Sequence, residues 1–289
     1  MNAIEVAAAG RDALGECPVW LARERLLQRV DITASAIVRL DVDTGREERH
    51  PTDGHVGFAL PTADGGLVAG VERRLVRLAT PGAPPVFVAE VEPGLDGNRF
   101  NDAALDPSGR LWAGTMSRAR TPGAAALYRM SPDGAVERAI TGATISNGLD
   151  WNLDFTVLYY IDSTTQQIDA IAFDLDRGRL GARRRFAAVD PRDGLPDGLT
   201  VDAEGGIWLA LFGGGAVRRY LPDGRLDAEI RLPVTNPTSL AFGGTDLTDL
   251  YVTSAKHRLS PEQLARERLA GSVLRIRAGV CGRTVGPDG

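Results

Sequence analysis

The sequence predicts an all-β protein, a single six-bladed β-propeller domain spanning residues 1–289, from three observations. A short apolar run recurs six times, at spacings of 40, 44, 47, 49 and 43 residues. A period near 45 residues accommodates about four short strands, and turn triplets such as PDG at 132–134 and 222–224 separate them. Helical periodicity is nearly absent. Because a propeller ring closes as one unit, the repeat overrides the two domains that the length alone suggests.

Each apolar run marks one strand of a blade. The runs are LQRVDI from Leu27, LVAGV from Leu67, LWAGTM from Leu111, LYYIDS from Leu158, IWLALF from Ile207 and LYVTSA from Leu250. Most are followed by a second run in which apolar residues flank an arginine, as expected for a strand with one wet face. Trp112 and Trp208 share one strand position and are predicted to pack in the core.

The ends of the chain and one insertion complete the predicted fold. Ring closure is expected to pair a strand near Ile4 to Ala8 with the last blade, since an open ring would leave sheet edges unpaired. The one helical pattern, SPEQLARERLA over 260–270, begins with a capping serine and a first-turn proline and is an insertion in the sixth blade. A short tail is expected from about residue 280.

Composition excludes several classes of function. With 33 basic and 38 acidic residues the net charge is −5, which disfavours nucleic acid as a partner. No apolar stretch is long enough to span a membrane, and Glu5 stands where a signal peptide would be basic, so a cytoplasmic protein is expected. A monomer or weak homodimer is the expected assembly. Cys17 and Cys281 are expected to be free thiols. Phosphate-loop, GxSxG and HExxH motifs are absent.

One polar residue recurs before each apolar run and predicts a metal site. First strands line the channel of a propeller, and counting back 10 to 14 residues reaches Glu16, His55, Asn101, Asn147, Asp197 and Asn236. Two carboxylates brought together repel each other, and a divalent cation removes that conflict. The hard oxygen ligands favour calcium, magnesium, manganese or ferrous iron.

This interpretation has local alternatives. The Asn-Gly pair at 147–148 and the Asp-Gly pair at 197–198 are also ordinary turn dipeptides. His55 and Asn236 are equally well explained as hydrogen-bonded channel lining. What favours the metal site is the recurrence of a polar residue at nearly one offset in six repeats.

Five segments resemble the regucalcin and gluconolactonase family, also called senescence marker protein. They are LGECPVW at 14–20, NRFNDAALDPSGRLWAGTM at 98–116, ISNGLDW at 145–151, YYIDS at 159–163 and PDGLTVDAEGGIWLAL at 196–211. The resemblance extends over nearly the whole chain. It implies a six-bladed propeller with one divalent metal in the channel, and hydrolysis of sugar lactones as the activity.

The resemblance also implies roles for individual residues. Glu16, Asn147 and Asp197 would be the metal ligands, and Asp197 would double as the general base. Arg99 and Asn101 would hold the lactone, with Ser117 a further substrate-binding candidate. Calcium is the first choice of ion, with magnesium, manganese, zinc and ferrous iron as alternatives. Several relatives carry an acidic residue just after the GTM segment, whereas here the order is Met-Ser-Arg-Ala-Arg over 116–120.

Two functions from different classes therefore compete. One is a metal-dependent sugar lactonase, and the other is a non-catalytic calcium-binding protein of the regucalcin type. Both need Glu16, Asn147 and Asp197, but Arg99 and Asn101 favour the enzyme because a structural metal site has no use for a substrate clamp. A hydrolase of other lactones or of phosphotriesters is a third possibility, for which apolar lid loops are expected. The loop at 117–126 is polar instead.

Overall fold

Six antiparallel sheets of four strands each follow one another around a central channel. The computed structural model describes residues 3–283. The strands of the first three blades, from the channel outward, are β2 (Gly15–Leu21), β3 (Leu26–Asp31), β4 (Ala36–Asp41) and β5 (Glu47–Pro51); β6 (Val56–Pro61), β7 (Leu67–Val71), β8 (Arg74–Leu78) and β9 (Val86–Glu90); and β10 (Asn98–Leu105), β11 (Leu111–Ser117), β12 (Ala125–Met130) and β13 (Val136–Ala143).

The remaining three blades repeat this order. They are β14 (Ser146–Trp151), β15 (Val157–Asp162), β16 (Gln167–Asp174) and β17 (Arg179–Ala188); β18 (Leu195–Val201), β19 (Ile207–Phe212), β20 (Ala216–Tyr220) and β21 (Leu226–Arg231); and β22 (Pro237–Gly243), β23 (Asp249–Ser254), β24 (Val273–Arg277) and β1 (Ile4–Ala8). The first strands β2, β6, β10, β14, β18 and β22 contact one another in a ring. The predicted six-bladed propeller is confirmed, with each apolar run in the second strand of its blade.

The ring closes where the chain's first strand completes its last blade. β1 pairs antiparallel with β24, placing Ile4 opposite Ile276 and Val6 opposite Leu274. The prediction that the strand near Ile4 to Ala8 pairs with the last blade is confirmed. This pairing covers the edge of β24, which the ring would otherwise leave exposed.

The core lies between neighbouring blades, and two tryptophans occupy equivalent positions in it. Trp112 and Trp208 are buried, as predicted, and each also uses its indole N–H. Nε1 of Trp112 donates to Oδ2 of Asp106 at 3.0 Å, and Nε1 of Trp208 donates to Oδ2 of Asp202 at 2.9 Å. The segments DPSGRLW and DAEGGIW thus build the same turn in the third and fifth blades.

The sixth-blade insertion contains a shorter helix than the sequence predicts. Helix α1 covers Pro261–Arg266, begins with the capping box of Ser260 and Gln263, and ends at Glu267. The expectation that it continues to residue 270 is wrong because the Glu267 carboxylate accepts hydrogen bonds from both N and Oγ1 of Thr235. No helix in the described range is long and apolar enough to cross a membrane.

The cysteines and the predicted tail lie in different surroundings. Cys17 is buried and Cys281 exposed, and both are free thiols as predicted. In the segment assigned to the tail, the carbonyl oxygen of Cys281 accepts from Ala203 N, and Gly282 bridges to Asp202. The rest of that segment, residues 284–289, lies outside the described residues.

Candidate functional site

A bulge interrupts the first strand of every blade at the same height of the channel. The pairing of first and second strands shifts between Glu16 and Val19 in β2 and between Asn147 and Leu149 in β14, and similar shifts occur in β6, β10, β18 and β22. A bulge bends a strand and re-aims its side chains. Four of the six polar residues picked by the repeat, namely Glu16, Asn101, Asn147 and Asp197, lie at or within these bulges.

Glycines beside two of these residues let the first strands approach closely. A Cβ atom on Gly148 would lie 2.5 Å from the carbonyl oxygen of Asp197, and one on Gly198 would lie 2.2 Å from Oγ of Ser239. Asn147 and Gly148 lie within β14, and Asp197 and Gly198 lie within β18. The alternative that these pairs are turn dipeptides is therefore wrong; their glycines serve the contact between strands of adjacent blades.

The bulged residues converge on one small pocket of about 70 Å³ at a mouth of the channel. Its polar floor consists of Glu16, Arg99, Asn101, Asn147, Ser163 and Asp197. Apolar side chains form part of its wall, among them Met116, Ile145 and Phe212. Arg120, His257 and Arg258 complete the lining. Residues from five blades, from Leu14 to Arg258 in sequence, thus meet in one place.

Arg99 and Asn101 form a connected pair on β10. Nη1 of Arg99 donates to Oδ1 of Asn101 at 3.0 Å and to the carbonyl oxygen of Phe100 at 2.7 Å. Nδ2 of Asn101 donates to the carbonyl oxygen of Ser146 at 3.1 Å in the next blade. Both side chains are buried, so their orientations are fixed by neighbouring backbone. Nη2 of Arg99 takes part in neither of the two hydrogen bonds that Nη1 donates.

Asn147 links the other polar residues of the floor. Its Nδ2 donates to Oδ1 of Asp197 at 2.5 Å and to Oγ of Ser163 at 3.0 Å. Its Oδ1 accepts from the backbone N of Gly148 at 3.1 Å. Glu16 accepts through Oε2 from the backbone N of Cys17 at 3.3 Å. Glu16 and Asp197 are both about 6% exposed, and neither forms an ion pair among the described residues.

Burial strongly perturbs the charges in this pocket. It raises the pKa values of Glu16 and Asp197 well above their usual range, and repulsion from Asp102 adds to both shifts. The two carboxylates also affect each other, since the charge of Asp197 further raises the pKa of Glu16. Burial lowers the pKa of Arg99 to about 10 and raises that of Asp102 to about 6. The pocket thus concentrates acidic groups that a cation would stabilise in their charged form.

The donor set of Glu16, Asn147 and Asp197 fits a hard divalent cation. Two buried carboxylates without an arginine ion pair supply charge, and an amide supplies a neutral oxygen. As the structure stands, Asn147 turns Nδ2 rather than Oδ1 toward Asp197, so cation binding requires the amide to turn over. Within residues 3–283 no three His, Cys, Asp or Glu side chains cluster as a metal site. A cation here therefore depends on amide, backbone or water oxygens beside the two carboxylates.

Three predicted residues lie outside the pocket. His55 and Asn236 each precede the first paired residue of their strands, Val56 and Pro237, so the bulge does not turn them to the channel centre. Nδ2 of Asn236 donates to the carbonyl oxygen of His257 at 2.9 Å, and Nδ1 of His55 contacts Arg118. Oγ of Ser117 accepts from the backbone N of Thr121 at 3.2 Å. Ser117 and Asn236 therefore hold loops beside the pocket.

The pocket residues contributed by loops were not among those predicted from the sequence. Arg120 follows Ser117 in the segment where several relatives carry an acid, which was the available signal. His257 and Arg258 follow the second strand of the sixth blade, where the repeat offers no register. Burial lowers the pKa of Arg120, the neighbouring Arg258 lowers it further, and Asp197 opposes the shift. These two guanidiniums and the Asp197 carboxylate thus share one electrostatic environment.

Two further cavities follow the channel away from this pocket. Asp102 and Cys17 line a middle cavity of about 200 Å³ whose walls are otherwise mostly apolar. A larger cavity of about 560 Å³ is lined by Trp20, Phe242 and other apolar residues, together with several arginines. Neither is lined by Glu16 or Asp197; the polar side chains converge in the smaller pocket.

The sequence matches the family described as SMP-30/Gluconolactonase/LRE-like region over residues 14–256. It is 36% identical over 284 residues to regucalcin from Gallus gallus, covering 96% of this chain and 95% of that protein. All five segments that carry the resemblance noted above lie within the matched range.

Solved structures show the same architecture over the full length. A calcium-binding protein, regucalcin, from Agrobacterium tumefaciens superposes with a TM-score of 0.94 at 29% identity, covering 99% of this chain and 97% of that one. A luciferin-regenerating enzyme superposes with a TM-score of 0.91, also at 29% identity, covering 98% of both chains.

Proposed function

The chain belongs to the SMP-30/gluconolactonase/LRE-like family, and from that membership we propose that it is a metal-dependent hydrolase that opens sugar lactones to aldonic acids. The observation that carries the proposal is the adjacency of a buried Arg99–Asn101 pair and two buried carboxylates in one pocket. A metal site alone requires the carboxylates. It does not require a fixed guanidinium beside them.

In this proposal Glu16, Asn147 and Asp197 hold the cation, with calcium as the first choice. Calcium accepts carboxylate and amide oxygens, and the related structure from Agrobacterium tumefaciens is described as a calcium-binding protein. What a bound divalent ion supplies is charge that polarises the lactone carbonyl and offsets the negative charge developing on its oxygen.

Asp197 is proposed as the general base. Burial raises its pKa in the absence of the ion, and a bound cation would hold it in the carboxylate form that can accept the proton of the attacking water. Without the ion, Asn147 donates to Oδ1 of Asp197 and to Oγ of Ser163. When the amide turns over to offer its oxygen to the cation, the ion would hold the Asp197 carboxylate in place of that donor.

Arg99 and Asn101 are proposed to orient the lactone. Phe100 and Asn101 hold the Arg99 guanidinium through Nη1, and Nη2 is left available for a substrate oxygen. An aldonolactone is an activated ester, so positioning and charge stabilisation suffice without a covalent nucleophile.

A non-catalytic calcium-binding protein is the second candidate. The observation in its favour is that relatives with the same fold and nearly the same length carry the name regucalcin. The same Glu16, Asn147 and Asp197 would then serve a structural or sensory ion. Arg99 and Asn101 would have no ligand to orient.

Metal exchange and a lactone panel separate the two candidates. Purified protein is stripped with chelator, reloaded with calcium, magnesium, manganese, zinc or ferrous iron, and offered five- and six-carbon aldonolactones while acid release is followed. We expect activity only after reloading, and Glu16→Gln should weaken the ion because an amide lacks the carboxylate charge. Stoichiometric metal with no turnover of any lactone would favour the calcium-binding protein. Full activity in chelator would remove the metal from the mechanism.

A further inference from the structure

We propose that the substrate carries a second anionic group, and that Arg120 and Arg258 bind it at the mouth of the pocket. This inference rests on the proposed function, which it extends to the class of lactone. The group is a carboxylate, as in a lactone of a sugar diacid, or a phosphate, as in a phosphorylated aldonolactone. Both present oxygens that a planar guanidinium binds through paired hydrogen bonds.

Arg120 and Arg258 have no carboxylate partner among the described residues, unlike Arg118 and Arg192. Neither forms an ion pair with any residue in the described range 3–283, whereas Arg118 pairs with Glu72 and Arg192 pairs with Asp190 at 2.6 Å. Nε of Arg120 is buried and has no hydrogen-bond acceptor. A buried donor without an acceptor is costly, so a ligand oxygen at this position would be well bound.

Both arginines have unusual backbone conformations. Arg120 has φ of 55° and Arg258 has φ of 66°, in the left-handed region that costs a non-glycine residue about 1 kcal/mol or more. The backbone N of Arg120 donates to the carbonyl oxygen of Ser117. The turn at Arg258 is tied to the sixth blade, because the carbonyl oxygen of the preceding His257 accepts from Asn236.

The size of the pocket places the far end of a substrate near these side chains. Its volume of about 70 Å³ holds only a few water molecules. When the lactone carbonyl lies over Asp197 and Arg99, the remaining carbon chain extends beyond the polar floor. Arg120, His257 and Arg258 are the polar residues of the lining that are not part of that floor.

The acidic groups nearby do not neutralise the rim. Glu16 and Asp197 are assigned to the cation, and Asp102 faces the middle cavity below them. Glu72 is paired with Arg118. The guanidiniums of Arg120 and Arg258 therefore retain uncompensated positive charge, which selects an anion over a neutral hydroxymethyl group.

The test compares three lactones on the calcium-loaded protein. They are D-gluconolactone, which is neutral, D-glucarolactone, which carries a carboxylate, and 6-phosphogluconolactone, which carries a phosphate. We expect kcat/KM for one of the anionic lactones to exceed that for the neutral one by about tenfold or more. The preferred lactone shows whether the second anionic group is a carboxylate or a phosphate.

Variants assign the preference to the two arginines. Arg120→Met and Arg258→Met should each lower kcat/KM for the preferred anionic lactone about tenfold or more, the effect of losing one charged hydrogen bond. The same variants should lower kcat/KM for the neutral lactone by a smaller factor, and Arg→Lys at either position should retain part of the preference. The matched control is Arg192→Met. Arg192 is exposed and paired with Asp190, and it lies three residues before Leu195, which lines the pocket.

Calorimetry with the product acids separates this inference from the proposed function. Binding of D-glucarate or 6-phosphogluconate, at constant free calcium, should exceed binding of D-gluconate and should weaken in both methionine variants. If anions bind in this way but no lactone is hydrolysed, the anion site stands and the hydrolase does not. If the neutral lactone is hydrolysed as well as both anionic ones, or the variants leave the preference unchanged, the anion site is wrong and the hydrolase stands.

Discussion

Asp12 and Asp202 are buried carboxylates that the blades pair with arginine. Asp12 accepts from Arg29 at 2.6 Å and Arg49 at 2.8 Å, and Asp202 accepts from Arg219 at 2.7 Å. Such pairing offsets the cost of burying a charge. Glu16 and Asp197 are buried to a similar extent without it. At the scale of single residues, an uncompensated carboxylate pair is the feature that a bound ion and substrate would satisfy.

Asp197→Asn is expected to separate proton transfer from metal binding. Asparagine keeps the shape of the side chain and one ligand oxygen, but it cannot accept the proton of water. At saturating calcium and lactone, kcat should fall by roughly 10²-fold or more, the usual effect of losing a general base. The measurement is steady-state turnover. The control is Asp133→Asn, because Asp133 is an exposed turn residue. Near-normal turnover of the variant would remove Asp197 as the base.

Asp102→Asn is expected to change how stability depends on pH. Burial raises the pKa of Asp102 to about 6 from an ordinary value of 3.8, so the native protein binds this proton more tightly than the unfolded chain. The resulting stabilisation is complete below pH 3.8 and is lost as pH rises through 6. The unmutated protein should therefore lose about 2 kcal/mol relative to the variant between pH 4 and pH 8.

Urea unfolding of chelator-treated protein across this range measures the difference. Asp246→Asn, at an exposed position, serves as the control and should follow the unmutated protein. A difference between Asp102→Asn and the unmutated protein that does not vary with pH would contradict the assignment.

Within an element, the DPSGRLW and DAEGGIW turns tie two strands of a blade to one carboxylate. Asp106 accepts from the backbone N of Ser108 and Arg110, from Nε of Arg110 and from Nε1 of Trp112. Asp202 makes the equivalent bonds to the backbone N of Gly206 and to Nε1 of Trp208. One residue therefore satisfies several donors that would otherwise be buried without an acceptor.

Asp106→Ala should destabilise the protein by roughly 3–5 kcal/mol, because it leaves the Arg110 charge and the Trp112 N–H buried without their acceptor. Asp133→Ala is the matched control, since Asp133 caps an exposed turn in the same blade through one bond to Ala135 N. Its effect should stay within about 1 kcal/mol. Equal midpoints of urea unfolding for the two variants would show that the Asp106 carboxylate stabilises the protein no more than the turn cap at Asp133 does.

The same scale explains what the sequence predicted well. The apolar runs located the second strand of each blade because alternation and spacing are local properties. Counting back from each apolar run also located the bulges of four first strands, because Glu16, Asn101, Asn147 and Asp197 lie at bulges that recur in the repeat. His55 and Asn236 have offsets of 12 and 14 residues and fall just outside their strands. Spacing alone does not distinguish the residues at bulges from His55 and Asn236, because the position of a bulge depends on contact with the neighbouring blade.

Loops were the part that sequence periodicity could not place. Arg120 and Arg258 reach the pocket through turns whose left-handed backbone is fixed by Ser117 and Asn236. Neither turn belongs to the repeat, so no register relates them to the bulged residues. Helix α1 is shorter than predicted for a similar reason, because Glu267 accepts a hydrogen bond from Thr235, which lies 32 positions away in sequence.

At the scale of the whole molecule, ring closure makes the site a property of all six blades. The pocket draws residues from five of them, so its geometry depends on every contact between first strands. The closing blade is the one built from both ends of the chain, because β1 supplies its outer strand. Loss of this strand would expose the edge of β24 and relax the constraint that holds β22 beside β2.

Deletion of residues 1 to 9 should therefore destabilise the whole ring. The deletion removes the ladder from Ile4 opposite Ile276 to Ala8 opposite Val273, and about 1 kcal/mol corresponds to 2–4 °C in a chain of this size. We expect the melting temperature to fall by roughly 5 °C or more in a single transition, and light scattering should detect association through the exposed edge of β24. Glu5→Ala is the control because it removes only the surface ion pair with Arg275 and leaves the ladder intact. A truncated chain that melts like the intact one would mean that closure by β1 does not hold the ring together.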